Sequence, residues 1–297
     1  MSPAPRKSSL LVVAWAATLL ASALPAVLWN QFSGQTAPAW IYYVRIGLPL
    51  LLIFVSAAVP LLSPLRNYFF LLAVVNLGYW LVTVVRALPA WQGWEGSVKW
   101  MNGMLVLQSL EVGIALLVLA ALFLLLRKPA NFWLGLGDLK ATAYPVPWIG
   151  FTKPSPWKTF GLIVAGAAFI LGIIFLWLSN QPTADMWQKL LPALPGVILL
   201  SAVNALDEEI IFRNGLLAPL FPAVGAAPAL WLTAVYFGMA HYSGTFPGGL
   251  IWFALTAFLG WLFGKAMLET RGVFWSWLMH FLSDLPVFDF TAMVFMQ

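Results

Sequence analysis

Apolar residues in this chain fall into long runs separated by short polar stretches. A bilayer-spanning helix needs about 20 mostly apolar residues. Runs of that kind lie at roughly 10–29, 46–63, 67–85, 104–126 and 159–179, then at 196–218, 227–242, 248–267 and 273–285. Each run is apolar all round and does not alternate with a period of two, so it predicts a helix and not a strand of a membrane barrel. The expected fold class is all-α: a polytopic transmembrane helical bundle with about eight to nine spans. The first run follows Arg6 and Lys7 and carries Ala-Ser-Ala, as a secretory signal does. Its apolar stretch exceeds the roughly 7–15 residues of a signal core, so it reads as an uncleaved first span.

One stretch interrupts the pattern. Residues 128–158 hold Pro129, Pro145, Pro147, Pro154 and Pro156 among several basic side chains. This divides the chain into a four-span N-terminal membrane region (1–127), a cytoplasmic proline-rich linker (128–158) and a C-terminal membrane domain (159–297). No internal repeat of the kind found in many transporters is visible.

Composition agrees with the runs. Hydrophobic residues make up 62% of the chain and charged residues 8%, against roughly 45–50% and about 25% in soluble proteins. Such a surface excludes an ordinary cytosolic enzyme and a nucleic-acid binder. The absence of Cys excludes disulfides, thiolate metal ligands and a Cys nucleophile. Basic residues also orient the chain. With the N-terminus inside, the cytoplasmic side collects Arg6, Lys7, Arg66, Arg127, Lys128, Lys140, Lys153, Lys158, Lys265 and Arg271, and the other side Arg45, Arg86, Lys99 and Lys189. Ten against four is a clear bias.

Some charges do not sort onto loops. The run 196–218 carries Asp207, Glu208, Glu209 and Arg213 in its middle, where an ionisable residue costs a few kcal/mol even on lenient scales. Pro195 with Gly196 and Pro219 mark its expected ends, giving one helix of about 23 residues. Glu209 and Arg213 are four apart and can pair on one face, whereas Glu208 is rotated by about 100° and points elsewhere. The chain has two histidines, and both follow the acidic run. His241 ends a span, one turn after Phe237. His280 lies one turn before Asp284. Counted from the cytoplasmic ends of their helices, Glu208, His241 and His280 lie at depths of roughly 15, 21 and 11 Å, close enough for one pocket reached through a cytoplasmic funnel. Four acids against Arg213 leave three uncompensated in low dielectric, so some hold protons or the site binds a cation. A carboxylate there suits a general base, and a carboxylate–imidazole cluster suits a zinc-type site.

Three strings in order, Glu208-Glu209-Ile-Ile-Phe-Arg213, Phe237-Gly-Met-Ala-His241 and His280-Phe-Leu-Ser-Asp284, resemble the EExxxR, FxxxH and HxxxN/D motifs of the CPBP family of intramembrane proteases. That family includes the type II CAAX prenyl endopeptidases and bacteriocin-processing or immunity-related bacterial members. The resemblance covers roughly residues 190–290. It implies that Glu208 activates the attacking water, helped by His241, and that Glu209 with Arg213 orients helix or substrate. It also implies that His280 with Asp284 stabilises the oxyanion or completes a metal site. Glu208, His241, His280 and Asp284 are thus candidate catalytic residues and a tentative ligand set for Zn2+ or another divalent metal. A metal-free glutamate-type reaction stays open beside it.

Asp284 stands where CAAX-processing members carry Asn, and an ionised Asp cannot donate to an oxyanion. It must be protonated, orient His280 or bind a cation. HExxH is absent, so zincin geometry is not available. Asp207 reads as a flank, and Glu111 as an orphan that could be protonated or pair with Arg86 or Lys99. The expected partners are a peptide or protein substrate in or at the membrane and the bilayer itself, with no nucleic acid. The expected location is a bacterial plasma membrane. A non-catalytic immunity or partner-binding protein and a proton-coupled transporter are the competing readings.

Overall fold

A computed structural model of the chain describes residues 3–243 and 248–295. In chain order its helices are α1 (Pro3–Ala21), α2 (Leu24–Ser33), α3 (Ala39–Ala58), α4 (Arg66–Ala87), α5 (Pro89–Glu95), α6 (Trp100–Leu126), α7 (Trp157–Asn180), α8 (Ala184–Glu208), α9 (Ala218–Val224), α10 (Ala226–His241), α11 (Gly249–Thr270) and α12 (Phe274–Phe295). Two-residue strands β1 (Thr142–Ala143) and β2 (Ser155–Pro156) pair antiparallel between α6 and α7. The protein is an all-α polytopic bundle. Among the described residues, seven helical stretches are long and apolar enough to cross a membrane, and α1–α2 adds an eighth if that bent pair counts as one span.

Two differences from the expected spans have local causes. The first apolar run is two helices at 58°. The Ser22 hydroxyl accepts from the Leu24 amide and donates to the Leu19 carbonyl, and Pro25 brings no N–H to continue the ladder. The run 227–242 forms α10, but its 16 residues rise only about 24 Å, short of the roughly 30 Å hydrocarbon core.

The acidic helix is also longer than its prolines suggested. Helix α8 starts after Thr183, whose side chain caps the Met186 amide, and passes through Pro192 and Pro195. It does not end at Pro219 either. Residues Glu209–Leu217 continue as a π-helix, and α9 follows with Pro219 in its first turn, where a missing N–H costs least. The whole stretch Ala184–Val224 is one helical run.

The main core joins residues of α1, α4, α6, the π segment and α9–α12, with Tyr68, Phe212, Leu217 and Phe263 fully or almost fully buried. Residues 128–158 contribute to that core through Phe132, Ala143, Val146 and Trp157. They also bind the turn between α11 and α12: the Asp138 amide donates to the Thr270 carbonyl at 2.7 Å and the Val273 amide to the Gly135 carbonyl at 2.8 Å. Gly137 and Gly272 cross there so closely that a Cβ on Gly272 would lie 2.2 Å from the Gly137 Cα.

Candidate active site

The site is built around the junction of α8 and the π segment. Glu208 is the last residue of α8 and Glu209 the first of the π-helix, whose wider turn closes when the Ala218 amide bonds to the Arg213 carbonyl. Single π-turns of this kind often occur at functional positions. The two carboxylates point different ways, as adjacent positions on a helix require. Glu209 is fully buried; Glu208 keeps 10% of its side chain exposed.

Glu209 is a hub. Its Oε1 lies 3.2 Å from Arg213 Nη1 and accepts from His280 Nδ1 at 2.9 Å, while its Oε2 accepts from the Ser276 hydroxyl. The Arg213 guanidinium lies 4.2 Å over the Phe237 ring and 5.2 Å from that of Phe263, so its charge meets a carboxylate on one side and aromatic faces on others. Helix α11 comes close enough because residue 260 is Gly: a Cβ there would stand 2.7 Å from Phe237 Cδ1.

Glu208 faces both histidines. Its Oε1 lies 3.7 Å from His241 Nε2, and its Oε2 lies 3.3 Å from His280 Nε2. His280 Nε2 is also 3.6 Å from Asp284 Oδ2, which accepts from Asn204 Nδ2 at 3.0 Å. The outer ring nitrogens are already engaged. His241 Nδ1 is 2.9 Å from the Phe237 carbonyl, which can only accept, so that nitrogen carries the proton and Nε2 is left for Glu208. His280 Nδ1 is held by Glu209, and its ring stacks on Phe263 at 4.7 Å. The Phe237 ring, one turn before His241, lies 4.4 Å from that imidazole. The structure therefore gathers Glu208, Glu209, Arg213, Phe237, His241, His280 and Asp284 into one cluster from three helical stretches.

Among the described residues no group of three or more His, Asp or Glu is placed to hold an ion. Glu209 is taken by Arg213, Ser276 and His280, and Asp284 by Asn204.

A cavity of about 450 Å³ reaches the cluster. Glu208, Phe212 and His241 form part of its wall, with Asn76, Tyr236 and Glu111. His280 is 3% exposed and lies behind Glu208. The cavity extends toward the turns joining α1 to α3, the end of α4 and the end of α10. That is the end of the bundle opposite the one where most basic residues gather. Depth along three helices fixed how far the groups lie from each end but not which end is closed.

Residues 190–286 match the family model described as type II CAAX prenyl endopeptidase Rce1-like. That segment is similar to this family. The match runs from α8 to the middle of α12 and contains all three strings, while α1–α7 lie outside it. No curated protein and no solved structure matches the chain significantly. The likeness to that family is carried by this Rce1-like segment alone.

Several polar partners in and around the Rce1-like segment were not read from the sequence. Ser276 sits one turn before His280 and Asn204 one turn before Glu208, spacings that could have flagged them. Asp207 is more than a flank: it is 3% exposed and accepts from Gln108 Nε2 at 2.6 Å. Glu111 and Arg86 both line the cavity, but the ion-pair partner of Arg86 is Glu95 at 3.0 Å.

Proposed function

We propose that the chain is an intramembrane endopeptidase that hydrolyses a peptide bond in a membrane-associated substrate, with Glu208 as general base. The observation that carries the reading is the placement of the Glu208 carboxylate between the Nε2 atoms of both histidines, on the wall of a cavity large enough for a peptide segment. Water in the cavity gives a proton to Glu208 while its oxygen attacks the scissile carbonyl carbon. The proton on Glu208 then passes to the departing amine as the C–N bond breaks.

His241, a quarter exposed on the cavity side, is the group placed to meet the developing oxyanion or the leaving nitrogen when it carries a second proton. His280 holds Glu208 from behind and is itself held by Glu209, Asp284 and the Phe263 ring. This assignment gives His280 and Asp284 a positioning role, whereas the family resemblance suggested contact with the oxyanion. Asp284 suits that role, since it faces an imidazole and an amide donor. No step is routed through a metal.

Comparative peptidomics of cells carrying the wild type or Glu208→Gln tests the reading. Peptides that appear only with the wild type support it; identical peptide sets contradict it. Elemental analysis of the purified protein before and after chelation, with activity on each sample, tests the metal-free course.

A further inference from the structure

We infer that the cavity opens on the extracytoplasmic face, and that the substrate is a peptide segment presented on that side of the membrane. The inference rests on the reading of Glu208 as the catalytic base and adds to it the side from which substrate arrives. It needs two independent observations, one on charge and one on shape.

Basic residues divide unevenly between the two ends of the bundle. One end holds the start of α1, the α3–α4 turn, the α6–α7 connection and the α11–α12 turn. Even without Lys265, which pairs with Glu269 inside α11, nine of the basic residues named above lie there. The other end holds four: Arg45, Arg86, Lys99 and Lys189. Short loops rich in Lys and Arg stay in the cytoplasm, and the connections here are about 30 residues or shorter, within the range where the rule applies.

The cavity belongs to the basic-poor end. Its rim includes Asn30 and Thr36 from the α1–α3 turns, Thr83 and Arg86 from the end of α4, and Ser243 after α10. Among the described residues, none that lines it comes from the basic-rich end. At that end residues 129–157 cover the α11–α12 turn, from which His280 is reached in under two turns of helix. Phe132 and Trp157 are fully buried there, and Arg271 lies 5.1 Å over the rings of both Trp133 and Phe221. The short route to the histidine from the cytoplasmic end is therefore filled with protein. The long route from the other end is hollow.

The consequence separates substrate classes. A cleavage site that stays in the cytoplasm, such as the lipidated C-terminus of a cytosolic protein, cannot enter from this side. A translocated loop or the extracytoplasmic tail of a membrane-anchored or exported polypeptide can.

The absence of native Cys allows a clean test on the full chain. Thr36→Cys and Ser243→Cys place a thiol at exposed rim positions, and Lys153→Cys places one at an exposed position of the opposite end. Cells expressing each variant are treated with a membrane-impermeant maleimide, intact and after permeabilisation. The inference expects both rim variants to label in intact cells and Lys153→Cys only after permeabilisation. The reverse pattern, labelling of both ends in intact cells, or rim thiols that never label overturns it. Two rim sites guard against one variant failing to fold. Because labelling does not depend on turnover, this result is independent of whether Glu208→Gln abolishes cleavage.

Discussion

At the residue scale, the central object is a buried ion pair under the Glu208 carboxylate. Arg213 and Glu209 are 2% and 0% exposed, so removing one partner strands the other in low dielectric. Arg213→Met should destabilise the protein by about 3–5 kcal/mol, and Glu209→Gln combined with Arg213→Met should recover much of that, because a paired deletion leaves no orphaned charge. Thermal unfolding in detergent measures both; equal stability of wild type and Arg213→Met would show that the pair does not support the fold. Gly260→Ala is the steric counterpart. Its methyl would press on Phe237 and Arg213, at a cost of about 1–3 kcal/mol, and should slow cleavage more than it lowers the melting midpoint, because Phe237 holds His241 through both ring and carbonyl. The scarcity of charge made these residues readable from sequence, since six of the seven carry groups that have no business in an apolar run. Their partners Ser276, Asn204 and Gln108 were not readable, because neutral polar residues occur in spans for many reasons.

At the element scale, apolar runs located almost every helix but misplaced ends. Proline at 195 and 219 signalled a start and a stop, yet both lie inside one helical run. In a membrane, backbone groups freed by proline are satisfied by local adjustment more readily than a helix is ended. The π segment Glu209–Leu217 had no sequence signature at all, because it differs from an α-helix only in which carbonyl each amide meets. It has a testable consequence. Deleting Ile210, which removes the residue the wider turn accommodates, should restore α geometry and leave the flanking helices intact. Arg213 would then fall three residues from Glu209, and Glu208 would rotate relative to everything after it. The expected outcome is unchanged helical content by circular dichroism with loss of cleavage; a deletion variant that cleaves normally would show that the π turn does not set the site.

At the scale of the whole molecule, the stretch 128–158 changes the picture most. Its prolines and charges read as a connection, whereas the structure packs it as a cap on the α11–α12 turn. Only tertiary contact could reveal this, because the contacts include backbone hydrogen bonds and the crossing of Gly137 over Gly272, which leave no mark in side-chain pattern. Gly272→Ala should wedge the cap away and make residues 129–157 more sensitive to limited proteolysis, followed by mass spectrometry of the fragments; an unchanged cleavage pattern would mean the cap is held without that crossing. The cap and the cavity lie at opposite ends, so one chain both closes the route near His280 and leaves Glu208 reachable.

The most direct measurement of the central claim is turnover by the purified, reconstituted protein on a peptide that its own cells show to be cleaved. General base catalysis contributes roughly 10²–10⁴-fold. Glu208→Gln should therefore lose at least about a hundredfold in kcat/KM while keeping the wild-type melting midpoint. A Glu208→Gln protein that folds normally and cleaves at the wild-type rate would contradict the account.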